Sequence, residues 1–194
     1  MNATVDSNQV IMTGENSFIR LSSDGGQTPS DRFSHWRVLW CPVGAGQVLF
    51  AETTLCDSEV RIYSDNMAVA RWLQTTIECY LYAAFADTQI PIRLAEFSRN
   101  GTPPAAVTER VLSANGDLVL SWYDFIEPMV FHAPPGFGER PIGVFTTFFP
   151  AQSAQVELNG QFVTAKPWPE QRGERPSSSA CLAWSETWVK PNER

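Results

Sequence analysis

The chain has 194 residues, 43% of them hydrophobic and 18% charged, which is the balance of a single globular domain with a sizeable core rather than of a disordered chain. The net charge is −7 and the only lysines are Lys166 and Lys190, which argues against nucleic acid or an anionic membrane surface as partner. No apolar run is long enough to span a bilayer, and the four cysteines form no CxxC pair, so neither a disulfide framework nor a cysteine metal site is expected.

Residues 1–8 are polar and read as a flexible lead-in to one domain over 1–194. Met1 to Asp6 lack the basic and apolar regions of a secretory signal, so a cytoplasmic location is the expectation. Residues 22–31 are rich in Ser, Gly and Asp and read as a loop. Strands are predicted at 36–41, 46–54 and 59–63. Ser64 or Asp65 then caps a helix that opens with Met67, its Val69, Trp72, Leu73 and Thr76 forming one covering face. Past Ile77 the pattern fits helix and strand equally.

From residue 90 the chain reads as β almost throughout, with strands at 90–98, 106–113, 117–126, 128–132, 142–149, 154–158, 161–165 and 180–189. Asn115-Gly116 and Asn159-Gly160 are two-residue hairpin signals between apolar runs. Proline-rich loops at 132–141 and 166–179 have the length and composition of rims or lids. The expected fold is mainly β, an antiparallel β-barrel or sandwich with one packed α-helix. In general architecture alone it resembles lipocalin-type barrels, and a likeness at that level carries no functional residue.

Four strands place a carboxylate where the alternation calls for another apolar side chain. Val48 and Phe50 lead to Glu52, and Ile90, Ile92 and Leu94 lead to Glu96. Leu118, Leu120 and Trp122 lead to Asp124, and Leu182 and Trp184 lead to Glu186 before Trp188 resumes the row. Side chains two apart in a strand share a face, and burial in apolar surroundings moves a carboxyl pKa toward neutrality. Glu96, Asp124 and Glu186 are therefore the expected catalytic acids and bases.

Arg37 and Tyr63 would orient a substrate oxygen, Trp40, Trp122 and Trp184 would form the pocket walls, and His132 would stand at its rim. The two histidines, His35 and His132, lie far apart with no metal-binding spacing, and no phosphate-cradling glycine loop occurs, so neither metal nor cofactor is expected. These features point to a cofactor-independent enzyme of isomerase, cyclase, hydratase or lyase type. It would move protons on a small hydrophobic or aromatic metabolite in a barrel pocket. A non-catalytic carrier for such a molecule is the alternative, and aromatic surface could also join two copies as a homodimer.

Overall fold

Strand pairing in this computed structural model, which describes residues 9–190, closes on itself. Its strands are β1 (Val10–Leu21), β2 (Asp31–Cys41), β3 (Gly44–Glu52), β4 (Val60–Ser64), β5 (Ile92–Asn100), β6 (Val107–Ser113) and β7 (Gly116–Phe125). β8 (Met129–Ala133), β9 (Gly143–Leu158), β10 (Gln161–Phe162), β11 (Pro169–Arg172), β12 (Arg175–Ser178) and β13 (Ala180–Val189) follow. The sheet runs β9-β13-β1-β2-β3-β4-β5-β6-β7, and β7 pairs back onto β9, so nine strands form a closed barrel without free edges.

The expected mainly-β barrel with one α-helix is what folds. All pairs around the ring are antiparallel except β4–β5. Those two strands run parallel because α1 (Met67–Thr76) lies between them, and a parallel step needs a crossover. The N-cap of α1 is Asn66, one residue beyond the expected pair, and its side chain accepts from the N–H groups of Ala68 and Val69.

Four stretches depart from the sequence expectation. β1 fills a region with no clear strand signal, and β2 begins at Asp31, inside the expected loop. β9 is one unbroken strand of 16 residues: Gly143–Pro150 pairs with β13, the same half carries β8, and Ala151–Leu158 pairs with β7. The 166–179 loop folds part of its length into the β11–β12 hairpin.

The barrel wall is apolar on both faces. Inside, Ile19, Phe33, Leu49, Leu120, Trp122 and Val156 belong to one buried cluster that fills the middle of the barrel. Packed side chains thus occupy the middle of the barrel, and interior space remains at one end, where Arg37, Phe97, Arg99, Glu109 and Trp184 line a pocket of about 470 Å³. Outside, α1 and the segment behind it lay Val69, Leu73, Ile77 and Phe85 over Trp36, Phe50 and Ile62 of β2, β3 and β4. A second outer patch joins Met129 of β8 and Phe148 of β9 to Cys181 and Ala183 of β13. Between these two outer layers a cavity forms against the wall.

Candidate active site

β1 and β2 pair with Glu15 opposite Arg37, Asn16 opposite Trp36, Ser17 opposite His35 and Phe18 opposite Ser34. Alternate residues of a strand face opposite sides. Glu15, His35 and Arg37 therefore enter the barrel, while Asn16, Phe18, Ser34 and Trp36 stand on its outer wall. Two polar clusters result, back to back through the wall.

The outer cluster lines a cavity of about 310 Å³ bounded by β1, β2, β13, the turn after α1, β8 and the β11–β12 hairpin. Its floor holds Asn16, Ser34, Glu186 and Trp188, all buried. Glu186 reaches this floor because Ser185 takes a left-handed φ of 56° and the pairing register slips between Trp184 and Thr187. Without that bulge Glu186 would follow Leu182 and Trp184 into the barrel. Burial pushes the Glu186 carboxyl up to about 8, against the opposing effect of the Trp188 indole N–H, which donates to Oε2 at 3.0 Å.

A second acid stands behind the same floor. Glu78, in the 3-10 turn Glu78–Tyr80 that follows α1, is fully buried. Burial pushes its carboxyl up to about 7, although Trp36 Nε1 donates to Oε2 at 2.7 Å and Ser34 Oγ donates at 3.1 Å. Its Oε1 has no hydrogen-bond partner among the described residues. Ser34 Oγ accepts from Asn16 Nδ2 at 2.9 Å, so side-chain hydrogen bonds run from Asn16 through Ser34 to Glu78. The backbone N–H of Asn16 faces Glu186 on the other side.

Aromatic and cationic groups complete the walls. Arg20 pairs with Glu170 at 2.6 Å, and the Arg172 guanidinium lies 4.9 Å from the Phe148 ring centroid and 5.4 Å from that of Phe18. Tyr82 closes the side nearest α1, and the exposed Arg140 stands at the mouth.

The inner cluster sits at one end of the barrel. Glu109, 1% exposed, accepts from Arg99 Nε at 2.8 Å, and Arg99 Nη1 donates to Glu15 Oε2 at 2.7 Å. Arg37 Nη1 lies 4.0 Å from Glu15 Oε1. His35 stacks on Phe97, and its Nε2 is 3.6 Å from Glu109 Oε1, too long for a hydrogen bond. Burial holds the imidazole down at about 4, so it is neutral at neutral pH. Its charges cancel, two guanidinium groups against two carboxylates, which marks it as a self-compensating network at the barrel end.

The residues expected from sequence scatter over these locations. Glu186 alone lines the outer cavity. Arg37 belongs to the inner cluster and with Trp184 lines the pocket of about 470 Å³ there, Arg99 lying 5.7 Å over the Trp184 ring. Tyr63 and Trp122 are core residues at 2% and 1% exposure, Trp122 Nε1 donating to the Phe18 carbonyl at 3.1 Å. Trp40 is half exposed, and His132 is exposed with its ring stacked on Phe145 at 3.9 Å.

Glu96 and Asp124 are exposed and face no cavity, which corrects the expectation of inward acids. The reason differs between them. Ile92, Leu94 and Glu96 do share a face, but it is the outer one: Ile92 is covered by the α1 layer, and the cover ends before Leu94, which is 66% exposed. At Asp124 the backbone turns left-handed with φ of 56°, and the alternation stops there. Glu52, on an outer edge, pairs with Arg32 at 2.7 Å.

Sequence reasoning missed Glu78, Asn16, Arg20 and Arg172. Only Glu78 carried a readable signal, an acid between Ile77 and Cys79 in a segment otherwise apolar. Comparison with protein-family models, with curated proteins and with solved structures finds no match.

Proposed function

We propose that the outer-wall cavity is the active site of a cofactor-independent acid–base enzyme of isomerase, cyclase, hydratase or lyase type, acting on a small, largely aromatic or apolar metabolite. The observation that supports this most is the convergence of two buried carboxyl groups, Glu186 and Glu78, on one cavity floor through Asn16 and Ser34. Burial raises both carboxyl groups, Glu186 to about 8 and Glu78 to about 7. Two acids that burial raises toward neutrality can each hold or release a proton near neutral pH, which is what proton transfer at and beside a carbonyl requires. Glu186, in the cavity lining, gives a proton to a developing oxyanion or leaving group, and the Trp188 indole N–H holds its other face. Glu78 takes a proton through Ser34 or after a small shift of the wall. Phe18, Phe131, Phe148 and Tyr82 exclude water and take the flat part of the substrate.

The test is to incubate the protein with fractionated metabolite extract in deuterated water and follow isomerised, dehydrated or deuterium-labelled products by mass spectrometry. The wild type is expected to convert a component, and Glu186→Gln and Glu78→Gln, both folded, are expected to lose that conversion. Retained conversion in Glu186→Gln ends the reading. A component bound by wild type and Glu186→Gln alike, and always returned unchanged, selects the carrier alternative.

A further inference from the structure

The charge around the cavity is opposite in sign to the charge of the chain. The protein carries −7 overall, yet Arg20, Arg140 and Arg172 line this cavity against the carboxylates Glu170 and Glu186. Glu170 is the carboxylate of the lining that pairs with these guanidinium groups, while Glu78, behind the floor, is near enough to Arg140 to feel its charge. Glu170 cannot satisfy them all. Its Oε2 is 2.6 Å from Arg20 and 3.7 Å from Arg172, the latter outside hydrogen-bonding distance.

Arg172 instead keeps one side-chain hydrogen bond, to Ser177 Oγ at 3.2 Å, and lies over Phe148. The Arg140 side chain makes no hydrogen bond or ion pair among the described residues, although it is close enough to lower the Glu78 carboxyl. Uncompensated guanidinium groups in a partly dry concavity draw anions, and their planar fork fits a carboxylate through two parallel hydrogen bonds.

We infer that the ligand of this cavity is a small planar carboxylate, an aryl or enoyl acid, whose carboxylate is held by Arg140 and Arg172 at the mouth while its flat body lies among Phe18, Phe131 and Phe148 over Asn16 and Glu186. This rests on the cavity being the ligand site and deepens the acid–base reading, because it sets which end of the substrate meets Glu186. The carboxylate stays with the arginines, and the conjugated or ring carbons reach the acid floor. A substrate bound the other way round would bring its negative charge against the Glu186 carboxyl and away from every free guanidinium group.

Cinnamate and cinnamamide, equal in shape and different in charge, are the probes, and binding is read by calorimetry and by chemical-shift changes of the protein. Cinnamate is expected to bind at least ten-fold more tightly than cinnamamide and to weaken as salt rises. Arg140→Gln, at an exposed side chain with no hydrogen bond or ion pair of its own, should lower that preference several-fold without loss of folding, and Arg140→Glu should abolish it. Equal binding of the two probes, an unchanged preference in Arg140→Gln, or no cinnamate binding at tens of millimolar overturns the inference. Selectivity for carboxylates in a protein that converts none of them leaves this inference standing and removes the catalytic reading.

Discussion

Replacing Glu186 by Gln separates a buried proton reservoir from an ordinary carboxylate without any knowledge of the substrate. The amide has the shape of the acid, offers the same acceptor to Trp188 Nε1, now at 3.0 Å, and cannot ionise. In the wild type the carboxyl shifts from 4.5 in the unfolded chain to about 8 in the fold. Between those values the unfolded state has released a proton that the folded state still holds, so wild-type stability falls as pH rises.

Each unit is worth 1.36 kcal/mol, so the group costs about 5 kcal/mol once the pH passes 8, relative to its effect below 4.5. Glu186→Gln lacks this loss. Urea denaturation of both proteins at pH 4.5, 6, 7, 8 and 9 is expected to show similar stability at the acid end, then a growing advantage for the variant that levels off above pH 8. Glu78 titrates in both proteins and cancels in the difference. A wild-type–variant difference that stays flat across this range means that Glu186 is ionised in the fold, and the acid role fails with it.

Three further outcomes follow from the remaining geometry. Glu109→Gln replaces one of the two carboxylate partners of Arg99 by a neutral amide and leaves Glu15 in place, so a loss of about 1–3 kcal/mol is expected by chemical denaturation. His35, held at about 4 against 6.5 when unfolded, makes the fold lose stability as pH drops from 6.5 toward 4, by about 3 kcal/mol in all, and its ring protons should show no titration by NMR above pH 5.5. Leu73→Ala, at a fully buried position of α1 on the outer wall, should cost about 2–5 kcal/mol by thermal or urea unfolding.

The ring of strands was legible because its hairpins carry Asn-Gly turns and its strands alternate. Leu118, Leu120 and Trp122 do point into the barrel as their spacing implies. Parity groups residues by face but does not say which face is which, and here both faces are covered somewhere. β5 shows the consequence: Ile92 is apolar because α1 lies on it, so its row ends in solvent at Glu96 rather than in a pocket. Bulges hide the rest, since Ser185 and Asp124 adopt left-handed backbone without being glycine and nothing in their neighbours announces it. β1 was illegible for a more telling reason. Its centre, Thr13-Gly14-Glu15-Asn16-Ser17, is polar because Glu15 serves the inner cluster and Asn16 the outer one. The strand least like a strand is the one that supplies both polar sites.

The energetics of the two clusters then separate structure from function. Inside the barrel each carboxylate has a guanidinium partner, although His35 and Arg99 Nη2 keep buried polar atoms without a hydrogen-bond partner among the described residues. On the outer wall Glu186 and Glu78 are hydrogen-bonded by neutral donors alone, Trp188, Trp36 and Ser34, although Arg20 and Arg172 lie around the same cavity. Holding the proton of Glu186 at pH 7 costs about 3 kcal/mol relative to an ionised unfolded carboxyl, out of roughly 5–15 kcal/mol that a domain has in total. Gln would avoid that cost with nearly the same volume and still accept from Trp188 Nε1. A fold that pairs its inner acids with arginine yet leaves Glu186 to neutral donors beside a cavity keeps a proton where, on the proposed reading, a ligand would take it.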